Sequence, residues 1–249
     1  MADMGTRFTT EGLAIKEMKV GESDRLVTLL TKEYGLIKAF ASGAENIKSK
    51  KNSSTSLLTY ASFTILNKKG TYRIYEAAPI SRFFTLGADI EVLAISQYFC
   101  ELGLVFAQND EPNTELLRLL LNSLHFLTKE KRYPPLIKAI TEFRTAVISG
   151  YMPDLVACKN CGEFENSIMF FDLEEGAINC KDCGGKGTPI DKTLLSALRH
   201  ITYSEFQKLY SFEIPDASAD RLSQITSEYI LIQSGQKFTS LDFLNSFNF

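Results

Sequence analysis

The sequence predicts an α+β chain: a small N-terminal β-barrel, a helical part behind it, and a four-cysteine module inserted among the helices. Three observations predict this. Five short apolar segments separated by polar turns fill the first third of the chain. The apolar period turns helical after residue 82, and two C-x-x-C pairs interrupt the helical part. The division that follows is 1–81 for the barrel, 82–249 for the helical part and 154–188 for the insertion.

In order, strands are predicted from Gly12-Leu13-Ala14-Ile15-Lys16, from Arg25 to Thr31, and from Leu36 to Ala41 after the turn at Tyr34-Gly35. Ser62–Leu66 and Thr71–Tyr75 flank Lys68-Lys69-Gly70, a hairpin signal with glycine available for positive φ. Five short strands with polar turns suit a small closed barrel. Along the last of them Tyr72 and Ile74 share one face, and Arg73 and Tyr75 the other. The charge of Arg73 makes its face the exterior. The polar stretch Gly43–Ser56, carrying Lys48, Lys50 and Lys51, reads as a mobile basic loop.

Ile90–Phe106 is apolar nearly all round, which suits a buried helix. Glu115–Leu127 follows Pro112-Asn113, a start signal. The clearest helix opens on Pro134-Pro135, aligns Leu136, Ile140, Phe143 and Val147, and ends before Gly150. Asp191 can cap a helix bearing Leu194, Leu195 and Leu198. A further helix aligns Leu222, Ile225, Tyr229 and Ile232 ahead of Gly235, and Leu241–Phe247 is expected to pack back onto the body.

The 249 residues are 45% hydrophobic and 23% charged, which excludes a disordered tail, a collagen-like rod and a coiled coil. No apolar run approaches the roughly 18 residues of a membrane span, and Met1–Arg7 has no apolar core of a secretory signal. A cytoplasmic protein without membrane partners is the expectation. The net charge of −3 is uneven. Residues 1–80 carry 12 Lys/Arg against 8 Asp/Glu, whereas residues 151–249 carry 8 against 14. A mildly basic first third points to an anionic partner.

The sharpest signal is Cys158-Lys159-Asn160-Cys161 followed, after 18 residues, by Cys180-Lys181-Asp182-Cys183. That gap lies within the spacing of four-cysteine zinc sites. Two intervening residues let both sulfurs of a tight turn face one ion, and Gly162 and Gly184 supply backbone freedom after each pair. Four soft thiolates suit Zn²⁺ and leave no open coordination position, so the expected role is structural. The intervening Ile168–Phe171 and Glu174–Ile178 read as a hairpin. A disulfide pair or a thioredoxin-like redox motif fits this context less well.

Other candidates weigh less. Cys100 reads as a buried thiol, and His125 and His200 as structural. Phe63, Tyr72 and Tyr75 could stack on bases or fill a core. No phosphate-binding glycine loop, deaminase signature, H-E-x-x-H or G-x-S-x-G occurs, so no catalytic apparatus is visible.

The segment Gly21-Glu22-Ser23-Asp24-Arg25-Leu26-Val27-Thr28-Leu29-Leu30-Thr31-Lys32-Glu33-Tyr34-Gly35, then Ser42-Gly43-Ala44, resembles the N-terminal signature of the RecO family of bacterial recombination mediators. Glu111-Pro112-Asn113, Phe143-Arg144 leading into Gly150-Tyr151-Met152-Pro153, and Cys158–Gly162 follow in family order. After Gly43-Ala44 the family is often strongly basic, whereas here Glu45-Asn46-Ile47 intervenes.

The resemblance implies an OB-fold barrel, a helical domain and a zinc-finger module in a non-enzymatic, cytoplasmic, nucleoid-associated protein of homologous recombination and gap repair. It further implies binding of single- and double-stranded DNA, strand annealing, and partnership with RecR, with single-strand DNA-binding protein (SSB) and, indirectly, with RecA. On this reading Lys16, Arg25, Lys38, Lys48, Lys50, Lys51 and Arg73 track phosphates. Two rivals are a zinc-ribbon interaction scaffold that does not bind DNA, and a hydrolase using Glu22, Asp24 and Glu33.

Overall fold

The computed structural model describes residues 5–84, 89–109 and 111–246, which form two compact units. The first comprises Met1–Glu130 with Phe238–Phe249, and the second Lys131–Lys237. Packing therefore groups the chain differently from the change in period near residue 82.

In the first unit, β1 (Thr6–Val20), β2 (Asp24–Thr31), β3 (Leu36–Ala41), β4 (Thr59–Lys68) and β5 (Thr71–Arg82) close a barrel in the order β1-β2-β3-β5-β4. All pairings are antiparallel except β3 with β5. This is the connectivity of an OB barrel. A short helix, α1 (Lys50–Ser54), lies between β3 and β4, so the stretch expected to be a mobile loop is partly ordered. Ser49 caps it, its hydroxyl accepting from the Lys51 N–H. The β4–β5 turn holds Lys69 and Gly70 at φ 51° and 80°, the two positive values of a type I′ hairpin.

Alternation fills the barrel. Val27 and Leu29, Ile37, Ala39 and Ala41, and Ala61, Phe63 and Ile65 point inward and are buried, with Ile74 from β5. Small alanines beside Phe63 let a narrow barrel close without a void. Leu13 and Ile15 flank the inward-facing Ala14, yet all three are buried. Their side of β1 is covered by α2 (Ile90–Phe106), where Gly103 permits close approach to Ile15 and Leu30. Helices α3 (Thr114–Thr128) and α7 (Thr239–Ser246) complete the unit. Phe238 packs edge-on against Tyr98 of α2 at 5.4 Å, with Leu241 and Leu244 buried behind it. Phe247, the end of the expected apolar segment, lies outside the described residues.

The second unit holds α4 (Pro134–Ile148), α5 (Lys192–Tyr203) and α6 (Asp216–Ser234), with β6 (Ile168–Asp172), β7 (Ala177–Cys180) and β8 (Thr188–Asp191) in the order β7-β6-β8. The first two strands are the expected hairpin; β8 adds a third. Asp191 caps α5 as expected, its carboxylate accepting from the Leu194 N–H at 2.8 Å. Phe143, Phe171 and Tyr229 form an aromatic cluster at 5.2–6.2 Å that ties β6 to α4 and α6. Burial pushes the Tyr229 hydroxyl up to about 12, and it donates to the Tyr151 carbonyl. Lys138 and Glu142, one turn apart on α4, form a buried ion pair at 2.9 Å, and the carboxylate also accepts from Thr226 and Ser227 of α6. Among the described residues no helix is long and apolar enough to cross a membrane.

Candidate metal centre and nucleic-acid interface

The two knuckles converge. The Sγ atoms of Cys158, Cys161, Cys180 and Cys183 all lie within 4.8 Å of one another. Cys161 and Cys180 are 3.6 Å apart, close to the edge of about 3.8 Å that a tetrahedron with 2.3 Å metal–sulfur bonds requires. Each knuckle folds for a local reason. The Gly162 N–H donates to the Cys158 carbonyl at 2.9 Å, and the Gly184 N–H to that of Lys181 at 3.1 Å. The glycines sit at φ 78° and 108°, where a side chain would be strained.

The hairpin sets the spacing. β6 pairs with β7 so that Met169 faces Cys180, and the turn between them is closed by Asp172, which accepts from the N–H groups of Glu174 and Glu175. From α5, Arg199 donates to the carbonyls of Leu155, Val156 and Phe164 and lies 4.0 Å over the Phe164 ring, holding the first knuckle.

The centre favours thiolate. Burial raises the Cys158 thiol, but backbone N–H donors at Cys180, Cys161 and Asn160 outweigh it and bring the group down to about 6. Cys161 and Cys183 move the other way. Cys183 is pushed up to about 12, chiefly by its bonds to Cys161 and Cys180. The donor set is soft, closed and four-coordinate, so it fits a structural metal ion and offers none of its positions to a substrate.

On the barrel, cross-strand register sorts the basic residues. Lys16 pairs with Thr28, and Thr28 with Lys38, placing both lysines in one row on the outer face. Phe40 pairs with Arg73, Arg73 with Leu66, and Leu66 with Arg7, forming an adjacent row. Lys16, Lys38, Lys48, Lys50 and Arg73 are exposed and make no ion pair or side-chain hydrogen bond among the described residues. Arg7 joins this face without having been expected from the sequence. Its signal is the β-prone run Thr6-Arg7-Phe8-Thr9-Thr10, which starts β1 earlier than Gly12.

Lys51 is half-buried, and its ammonium donates to the Ile74 carbonyl at 2.9 Å. Arg25 differs most from expectation. It is 8% exposed and bonds Glu17 at 2.9 Å and Glu45 at 2.8 Å, besides the Asn52 carbonyl and the hydroxyls of Thr55 and Ser56. Its guanidinium fastens the segment carrying Lys48, Lys50 and Lys51 to the barrel and presents no face to a phosphate. The period-2 pattern carried this signal, since Arg25 shares parity with the inward-facing Val27 and Leu29.

The remaining candidates are accounted for locally. Cys100 is buried and burial raises its thiol. His125 meets Glu130 at 3.3 Å, and the His200 ring bonds the Lys208 carbonyl. Of the proposed hydrolytic carboxylates, Asp24 accepts from the Gly43 N–H and Glu33 from the Thr10 hydroxyl. Phe63 fills the barrel core, Tyr72 is half-buried beside Phe8, and Tyr75 is exposed.

Comparison with known proteins covers both halves of the chain. A family model described as recombination protein O N terminal matches residues 4–83, and one described as recombination protein O C terminal matches residues 87–242. The chain is similar to the DNA repair protein RecO of Acetivibrio thermocellus, 31% identical over 240 residues, which is 95% of this chain and 96% of the relative. It is also similar to those of Caldicellulosiruptor bescii, 27% identical over 94% and 96% of the two chains, and Dehalococcoides mccartyi (strain CBDB1), 29% identical over 83% of each.

Proposed function

Since the chain belongs to the recombination protein O family of DNA repair proteins, we propose that it is a non-enzymatic recombination mediator in homologous recombination and gap repair. In this reading it binds single- and double-stranded DNA, anneals complementary strands, and acts with RecR to load RecA onto SSB-coated single strands. The observation that carries the reading is the outer face of an OB-type barrel whose rows hold Lys16, Lys38, Arg73 and Arg7, beside a segment holding Lys48, Lys50 and Lys51. Arg25 acts within it as a positioning residue.

Annealing asks for no bond to be broken. Two polyanions must be neutralised and held close long enough for bases to find partners. A face of solvated ammonium and guanidinium groups does this by releasing condensed counterions. Binding is then largely indifferent to sequence and falls as salt rises. The metal in the four-cysteine centre is Zn²⁺ on this reading, held by Cys158, Cys161, Cys180 and Cys183; it contributes folding energy and no reaction step.

Two measurements test the proposal. In a plot of log K against log salt, each of Lys16→Ala, Lys38→Ala, Lys50→Ala and Arg73→Ala is expected to lower the slope by about 0.7–0.9 for each phosphate the variant leaves unneutralised. Fluorescence-monitored annealing of complementary strands, bare and SSB-coated, is expected to proceed without nucleotide or added metal. A wild-type chain that binds no oligonucleotide in dilute buffer overturns the proposal and leaves the interaction-scaffold reading.

A further inference from the structure

We propose that the groove between α1 and the β4–β5 ribbon is a subsite for an unpaired nucleotide, with its base stacked on Tyr75. The inference rests on the DNA-binding reading above and adds a source of selectivity for single strands.

The groove encloses about 530 Å³ and is lined by Ser49, Lys50, Lys51, Ser62, Thr64 and Tyr75 among others. That is within the range of small-molecule sites, roughly 300–1,000 Å³. Its chemistry is mixed in the way a nucleotide requires, with cations and hydroxyls for phosphate and sugar and an aromatic ring for the base.

The ring is placed there by the backbone. Thr64 pairs with Glu76 while Ile65 pairs with Ile74, so Tyr75 is the extra residue of a β-bulge. A bulge re-aims a side chain that the ladder would otherwise direct. Tyr75 is 55% exposed, although an aromatic on a barrel strand is ordinarily drawn into packing. Arg7 lies over one face of the ring, its guanidinium carbon 4.1 Å from the centroid, while the groove lining does not include it. That contact holds the ring in place and leaves the other face for a base.

Lys51 pins α1 to the strand through the Ile74 carbonyl, next to the bulge, so both walls of the groove are fixed. Glu76 also lines it, with Arg7 at 3.8 Å. It disfavours phosphate at that end and leaves the phosphate to the Lys50 side. A base held in a duplex cannot stack on Tyr75, because its faces are already covered by its neighbours. The groove therefore distinguishes single strands from duplex without reading sequence.

The test compares wild type, Tyr75→Ala and Tyr75→Phe by fluorescence anisotropy at one salt concentration. The probes are an oligo-dT strand, an abasic strand of equal length, and a duplex. Tyr75→Ala is expected to weaken oligo-dT binding about tenfold, the effect of losing one stacked base. It should leave abasic and duplex affinities within about twofold, while Tyr75→Phe retains the wild-type values. Equal loss on the abasic strand, or no loss on oligo-dT, overturns the subsite. Either result comes with a wild type that still binds, which separates it from failure of the DNA-binding reading. Thermal unfolding of each variant is expected to match wild type, since the ring is exposed; a shifted curve together with equal loss on all three probes also counts against the subsite.

Discussion

Removing the metal from the four-cysteine centre is expected to unfold the segment from about 154 to 188 while the barrel keeps its strands. Without a cation, four sulfurs within 4.8 Å of one another cannot all ionise without mutual repulsion. Metal-binding energies at such sites are about 10–16 kcal/mol in isolated zinc-finger peptides, far above the stability of a short hairpin. Met169 and Phe171 pack the hairpin into the core of the second unit, so the loss is expected to loosen that unit and spare the barrel.

Elemental analysis should return one metal ion per chain. Hydrogen exchange after chelation, or in Cys158→Ser, should rise in 154–188 and remain unchanged in 6–82. Loading Zn²⁺ at pH 8 should release protons, because each thiol ligand binds as thiolate. The sign with pH follows from ligand protonation: each sulfur binds the ion as thiolate, so metal affinity, and with it the order of 154–188, falls as pH falls. A metal-free chain with four titratable thiols and an unchanged exchange pattern would contradict all of this.

Arg25→Ala should destabilise the barrel unit by about 3 kcal/mol, the lower end for removing one partner of a buried pair. The lower end applies because Glu17 and Glu45 keep 35% and 26% of their side-chain surface in water. The variant leaves two carboxylates facing each other and frees the segment that carries the lysines from the barrel. On the proposed reading, DNA affinity should fall although every exposed cation of the barrel face is still present, and the salt slope should change less than in Lys50→Ala. Adding Glu45→Gln should recover part of the stability by removing one uncompensated charge. Chemical denaturation read by tyrosine fluorescence checks both statements. An Arg25→Ala protein as stable as wild type, with a salt slope reduced as far as in Lys50→Ala, would return Arg25 to the phosphate-facing set.

Much of the fold was legible because its causes are local. Alternation in Arg25–Thr31 and Leu36–Ala41 specifies strands, the Pro134-Pro135 start and the Leu136, Ile140, Phe143 spacing specify α4, and two C-x-x-C turns followed by glycine specify a thiolate centre. What a charge does once folded was less legible. Lys16 shares parity with the inward-facing Ala14 as Arg25 does with Val27, yet a bulge after Ala14 leaves Lys16 solvated on a barrel row while Arg25 is enclosed by residues 17, 45, 52, 55 and 56.

The sequence by itself determined the order and kind of most elements and the pairing of the two cysteine knuckles, because turn geometry, side-chain period and ligand spacing act over a few residues; α1 and β8 were not among them. Only the tertiary structure decided that α2, α3 and α7 pack in one unit with the barrel, that Lys138 and Glu142 are buried together, and that Tyr75 stands beside Arg7. Solvation of a side chain depends on whatever distant segment comes to lie over it, and no local pattern encodes that covering.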